Sequence, residues 1–344
     1  VNPKELVRRT LAFESPEKIP RQIWILPWAE RRYPAAVRQL RREYPDDIVN
    51  APEVYTRPPR RSGDRYSPGT YVDEWGCVFS NNQDGAIGIV KKPQIDSWED
   101  LSGWRPPEET LTVDREAVNR FCRETDRFVL SATMQRPFER LQFLRTMERA
   151  MVDVKEQPPE LFDLLRLIHE HYCKEVDVWS RTDVDAIGIM DDWGAQGALL
   201  TSPQIFRDIF KPMYCDYIEI ARSRGKSVFM HSDGYILDIV EDLIEIGVDA
   251  LNSQIFCMDI KKLGERFRGR LTFWGEIDRQ TLLPRGSRND IQKAVDFVFG
   301  ELFAQGGVIA QCEFGLEAKP ENVLAVFQTW SQIDSKLSSG AIDE

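Results

Sequence analysis

The chain has 344 residues, 42% of them hydrophobic and 29% charged, with a formal net charge of −11. That apolar share suffices for the core of a soluble globular protein, and the acidic balance argues against a nucleic-acid or anionic-membrane surface. No run of about 18 apolar residues occurs, so no membrane-spanning helix is expected.

The opening residues Val1-Asn-Pro-Lys-Glu5 lack a hydrophobic signal region and begin a helix instead, with Asn2 as cap and Pro3 at the first helical position. Six cysteines are scattered without close spacing. In a chain this long they read as reduced thiols, and the expected location is cytoplasmic. An oligomer is compatible with the sequence.

After the first helix, Arg21-Gln-Ile-Trp-Ile-Leu-Pro27 reads as a strand. Residues from about 30 to about 110 are rich in Pro, Arg, Asp and aromatics. Within them Thr70–Phe79 and Ala86–Val90 flank Asn81-Asn-Gln-Asp-Gly85, which predicts an antiparallel hairpin. This region is expected to be an insertion folded over a barrel mouth.

From residue 128 to about 335 strands and amphipathic helices alternate. Strands are expected at Phe128–Met134, Ala186–Asp191, Ser227–His231, Ala250–Ser253, Leu271–Glu276 and Val308–Cys312. Helices are expected over Tyr235–Ile246, stopping at Gly247, over Asp290–Gln305, and from Ser202-Pro203 to before Gly225. Repeated strand–helix units with short turns predict a parallel sheet, and their number favours a closed (β/α)8 TIM barrel over an open sheet. The whole chain, 1–344, is expected to form one domain. No Gly-x-Gly-x-x-Gly or Walker motif follows any strand.

In such a barrel the strand ends converge on one mouth. What stands there is Gln135 and Arg136, Asp191 and Asp192, His231 and Asp233, Asn252 and Gln254, Glu276 and Asp278, then Cys312 and Glu313. A histidine, a carboxylate and a cysteine meeting at the mouth would form a first-row metal site, with zinc the leading candidate. The competing reading is a buried thiol and an ordinary histidine.

Asp191 and Asp192 are adjacent, so at most one faces the mouth. Both are catalytic candidates, one toward substrate or a histidine and the other as a cap. Glu276 is a candidate ligand, general base or salt-bridge partner. Trp193, Asn252, Gln254 and Asp278 are candidate substrate contacts.

Several segments resemble the uroporphyrinogen decarboxylase superfamily, from about residue 3 to about residue 330. They are Arg8–Pro16, Asp73-Glu-Trp-Gly-Cys77, Asp191-Asp-Trp-Gly194 with Ser202-Pro203, and His231-Ser-Asp-Gly234 with Gly247–Asn252. The resemblance implies a single (β/α)8 barrel. The Arg-Gln-Ala-Gly-Arg segment of authentic decarboxylases is not reproduced, nor is their Phe-Ser-Asp segment.

The other branch, corrinoid-linked methyltransferases, binds zinc through a His-x-Cys pair and a distant Cys. By that resemblance His231 and Cys312 take ligand positions and Asp233 stands where the family has Cys. Whether Asp233 or Glu276 completes the site is open. A carboxylate in place of a thiolate suits polarising an oxygen more than activating a thiol.

The implied activity is zinc-dependent transfer of a methyl group from a small methylated substrate, such as a methoxy compound, to a corrinoid on a separate protein. The chain carries no Asp-x-His-x-x-Gly corrinoid motif of its own. The alternatives are porphyrinogen decarboxylation and a non-catalytic corrinoid- or ligand-binding relative.

Overall fold

The computed structural model describes residues 2–339. Eleven strands run in chain order. They are β1 (Arg21–Ile25), β2 (Ile48–Asn50), β3 (Gly69–Val72), β4 (Val78–Asn81), β5 (Ile89–Lys92), β6 (Phe128–Gln135), β7 (Ala186–Met190), β8 (Ser227–Ser232), β9 (Ala250–Ser253), β10 (Thr272–Trp274) and β11 (Val308–Phe314).

Eight of them form one sheet in the order β1-β11-β10-β9-β8-β7-β6-β2, with every pairing parallel. Consecutive strands sit side by side because a right-handed helical crossover returns the chain next to where it left.

The sheet curls until β1 and β2 meet, and side chains hold the seam in place of a regular ladder. Asp46 Oδ1 accepts from Ile23 N at 2.7 Å, Asp47 Oδ2 accepts from Arg21 N at 2.9 Å, and Gln22 Nε2 donates to Ile48 O at 3.3 Å. The result is the expected eight-stranded parallel barrel, nearly closed.

Its two faces separate into two apolar layers. Ile48, Phe128, Ala186, Phe229, Trp274 and Ile309 pack together as an inner cluster with Trp24 against it. The alternate strand residues, among them Val228, Met230, Ala310 and Cys312, belong to the larger core shared with the surrounding helices. This alternation fixes which strand-end side chains can reach the mouth.

The expected insertion is smaller than the sequence suggested. Helix Pro34–Glu43 and strand β2 lie inside the 30–110 range, yet they are the barrel's own second unit. The predicted hairpin is instead a three-stranded antiparallel sheet, β3-β4-β5. Thr70–Phe79 does not run as one strand because Asp73 Oδ1 accepts from both Trp75 N and Cys77 N, at 3.0 and 2.8 Å, and turns the chain.

The small sheet rests on the barrel rim. Gly85 adopts φ +77°, and a Cβ there would lie 2.5 Å from Trp28 Cα, just beyond the end of β1. Asp73 also pairs with buried Arg140 at 2.6 Å, on the helix that follows β6.

Candidate metal centre at the barrel mouth

Inner-face alternation along β8 runs from Phe229 to His231, so the imidazole points into the barrel mouth. Trp24 packs against it, the two ring centroids 5.1 Å apart. Asn252, at the matching position of β9, brings its Oδ1 to 2.6 Å from His231 Nδ1. The Asn252 amide nitrogen donates to Trp274 O, which fixes the amide so that its oxygen faces the ring. Nδ1 therefore carries the proton, and Nε2 presents a lone pair to the mouth.

Two carboxylates face that lone pair. Asp192 Oδ1 and Asp233 Oδ1 each lie 3.5 Å from His231 Nε2. Two glycines make this convergence possible. A Cβ on Gly194 would lie 2.5 Å from Gly234 C, and one on Gly234 would lie 2.3 Å from Gly194 C. The loops after β7 and β8 thus touch through bare backbone, joined by Gly194 N to Asp233 O at 3.1 Å and Tyr235 N to Ala195 O at 2.8 Å. Asp233 N in turn donates to Asp192 Oδ1 at 2.9 Å.

The three donors fit a cation. Bonds of roughly 2.0–2.2 Å to nitrogen and oxygen at tetrahedral angles separate the donors by about 3.3–3.5 Å. Asp233 Oδ1 is buried and makes no hydrogen bond. An imidazole nitrogen and two carboxylate oxygens so placed could hold a cation between them.

A guanidinium supplies the neighbouring positive charge. Arg279 contacts Asp233 Oδ2, sits 3.2 Å from Glu313 Oε2 and places Nε 3.5 Å from Glu276 Oε1. Its grip on one oxygen of Asp233 leaves the other for the cluster. Burial raises the Glu313 carboxyl, against the pull of Arg279.

Glu276 is 2% exposed, and burial drives its carboxyl well above the usual range. Arg279 opposes that rise, while the charges of Asp233 and Glu313 add to it.

The structure brings together only part of the expected set. Cys312 follows Gln311 on β11 and faces the helices, on the opposite side of the sheet from Ile309. It is fully buried, and among the described residues it joins no group of three donor side chains with His231. Of the expected His231/Asp233/Cys312 set, His231 and Asp233 stand together with Asp192, and Cys312 does not join them. Strand parity is the reason: the inward position at that level of β11 belongs to Glu313.

Asp191 also turns outward. It accepts from Phe138 N, Glu139 N and Tyr214 Oη at 2.8, 2.7 and 2.6 Å, capping the helix Pro137–Arg145. Burial pushes its carboxyl up to about 7 against these three donors. With three donors and no acceptor around it, the carboxylate is held in place at the start of that helix.

Trp193 is core as well, stacked on Phe138 with centroids 4.1 Å apart and donating to Tyr214 Oη at 2.9 Å. Asn252 holds the His231 ring through its side-chain oxygen. Gln254 and Asp278, by contrast, line a cavity of about 160 Å³ beside Glu276 and Arg279.

Arg279 carried no sequence signal, since it lies in a loop three residues past Glu276. Glu139 was also missed. It stands beside Arg136 at 3.4 Å, and burial, with Asp192 and Asp191 nearby, lifts its carboxyl to about 8 despite Arg136.

A second group, His169, Cys173 and Asp216, lies on the helix layer. There the ring nitrogens are already paired, Nδ1 with Tyr217 Oη at 3.1 Å and Nε2 with Asp216 Oδ2 at 3.0 Å. No helix among the described residues is long and apolar enough to cross a membrane.

The chain matches the family described as uroporphyrinogen decarboxylase (URO-D) over residues 73–333. Among solved structures it resembles a methyltransferase from Methanosarcina mazei, with a TM-score of 0.71 and 18% identity, over 96% of this chain and 99% of that one. A glycoside hydrolase family 10 xylanase from Gloeophyllum trabeum matches with a TM-score of 0.39 and 11% identity, over 62% of this chain and 79% of that one. No curated protein matches the sequence.

Proposed function

The chain belongs to the uroporphyrinogen decarboxylase family, and we propose that it is a zinc-dependent methyltransferase within it. It would take a methyl group from a small methoxy compound and pass it to a reduced corrinoid carried on a separate protein. The observation that carries this reading is the Asp192/His231/Asp233 cluster, a three-donor set at the mouth with one imidazole and two carboxylates. Three protein ligands leave a fourth position for substrate. Zinc held there would act as a Lewis acid, and an all-nitrogen-and-oxygen donor set suits an ether oxygen better than a thiolate. The likeness in fold to a methyltransferase over nearly the full length of both chains supports the same reading.

The chain's own residues hold this arrangement. Asn252 fixes the ring tautomer, Arg279 pairs with one oxygen of Asp233, and the touching Gly194 and Gly234 loops set the spacing. Porphyrinogen decarboxylation fits less well. Asp191 is sealed beneath the surface, Asp192 belongs to the donor cluster, and the arginine segment of authentic decarboxylases is missing.

The test is metal analysis of the purified protein beside His231→Ala, Asp192→Asn and Asp233→Asn, with methyl transfer from methoxy compounds to cob(I)alamin followed optically. Near-stoichiometric zinc in the wild type, its loss in each variant, and loss of transfer on chelation are expected. Wild-type protein that transfers methyl groups without metal would refute the proposal.

A further inference from the structure

Beside the donor cluster lies the cavity of about 160 Å³, lined among others by Gln196, Gln254, Glu276, Asp278 and Arg279, with Phe256 as an apolar wall. Its lining alternates amides and carboxylates around a single guanidinium. That guanidinium is already paired with Asp233 and Glu313, so it offers no free charge to an anionic ligand. Amide and carboxylate groups facing one apolar ring suit a ligand rich in hydroxyl groups, each able to donate and accept.

Glu276 is the unusual member. It is 2% exposed, lines the cavity, and its Oε2 makes no hydrogen bond. Its one close cation, Arg279, is shared with two other carboxylates. Burial and the neighbouring carboxylates favour its protonated form, and the unpaired oxygen is the atom that meets whatever enters.

We propose that the methyl donor is a neutral, polyhydroxylated methyl ether of about monosaccharide size. In this proposal Glu276 donates a hydrogen bond to the ether oxygen and protonates it as the methyl group leaves. The inference rests on the methyl-transfer reading above and names its substrate class and acid. In the step the methyl C–O bond breaks and its electron pair stays on oxygen. The methyl group passes to the electron pair of the reduced corrinoid, and the Glu276 proton goes to the leaving oxygen. The products are an alcohol and a methylated corrinoid. Glu276 is left as a carboxylate that regains its proton from water. Without that proton the leaving group would be an alkoxide, so the acid matters most for an alkyl ether. General-acid help of this kind is worth about 10²–10⁴-fold in rate.

The test separates binding from proton delivery. Calorimetry on the purified protein, without corrinoid, uses methyl glucoside as the neutral probe and 4-methoxybenzoate as the anionic one. Binding of the glycoside and none of the benzoate is expected. Glu276→Gln keeps an N–H donor for the ether oxygen, so its affinity for the glycoside should stay within about threefold. Its methyl transfer to cob(I)alamin should fall by at least about 100-fold. Glu276→Ala should lose both.

Preference for the benzoate would overturn the substrate class, and wild-type turnover by Glu276→Gln would overturn the acid role. If the wild type binds the glycoside yet transfers no methyl group from any methyl ether, the methyl-transfer reading fails and the acid role falls with it. The ligand class would survive that result.

Discussion

Replacing Asp191 by Asn distinguishes a structural carboxylate from a catalytic one. The native carboxylate accepts from Phe138 N, Glu139 N and Tyr214 Oη at 2.6–2.8 Å, and it is fully buried. An amide keeps one acceptor oxygen and turns an NH₂ group toward at least one of those donors. Hydrogen bonds to a charged acceptor contribute about 1.5–3 kcal/mol each, and a buried donor left unpaired costs a similar amount. Losing one or two of the three gives a destabilisation of about 2–4 kcal/mol. A chain of 344 residues unfolds with roughly 0.7 kcal/mol/K of entropy, so the midpoint should drop by about 3–6 °C. Thermal melts at one fixed scan rate read this directly, and metal content measured on the same samples should stay near the wild-type level. An Asp191→Asn protein that melts within a degree of the wild type, yet loses its metal or its methyl transfer, would refute the structural assignment.

Four further outcomes follow from the same geometry. Asn252→Ala frees the His231 ring, and zinc affinity by competition with a chelator should fall by about 10–100-fold; unchanged affinity would mean the ring is oriented by something else. Cys312→Ala should leave zinc content untouched and cost only about 1 kcal/mol of packing, whereas loss of the metal would restore the thiolate ligand that strand parity excludes. Arg279→Gln removes a positive charge paired with one of the donors, Asp233; two unit charges ~5 Å apart interact by about 3 kcal/mol at an effective dielectric near 20. Zinc should then bind about 10–100-fold more tightly, and weaker binding would show that Arg279 chiefly orients Asp233.

The fourth outcome concerns Glu139, whose folded pKa of about 8 lies above its ordinary 4.5. Its contribution to stability is full below pH ~4.5 and is lost as pH rises through about 8, by at most about 3 kcal/mol at pH 7. Glu139→Gln should therefore flatten the decline of the melting temperature between pH 5 and 8, and parallel curves for variant and wild type would count against it.

The barrel was legible in the sequence because its signals are local. The helix that stops at Gly247 and those that begin at Ser287 and Ser202 carry their own caps or apolar stripes, and each central strand is a short apolar run. β2 was not legible, since Ile48-Val-Asn50 is only three residues long and sits among prolines and charges. Its place is held by Asp46 and Asp47 reaching across to β1, a contact with no local pattern.

The site divides along the same line. His231 could be placed at the mouth from strand ends alone, as could one of Asp191 and Asp192, without saying which. Cys312 was misassigned because every residue of β11 from Val308 to Cys312 is buried, so apolar and polar faces do not alternate and parity cannot be read.

That ambiguity is a general consequence of parallel barrels, whose strands are covered on both sides. A strand-end residue chosen by chemical type can then point either way, and only register resolves it. Here register substitutes Glu313 for Cys312 on the inner face, and the exchange has a chemical effect. It replaces a soft, polarisable donor with a carboxylate that Arg279 already neutralises. The donor cluster at the mouth is left with oxygen and nitrogen atoms, beside Glu276, whose carboxyl is raised by burial. A site built for thiol activation would want the opposite arrangement, with thiolates on the metal and no buried acid beside the leaving atom. Under the proposed methyl transfer, the same substitution suits an oxygen leaving group, one served by both a hard Lewis acid and a proton.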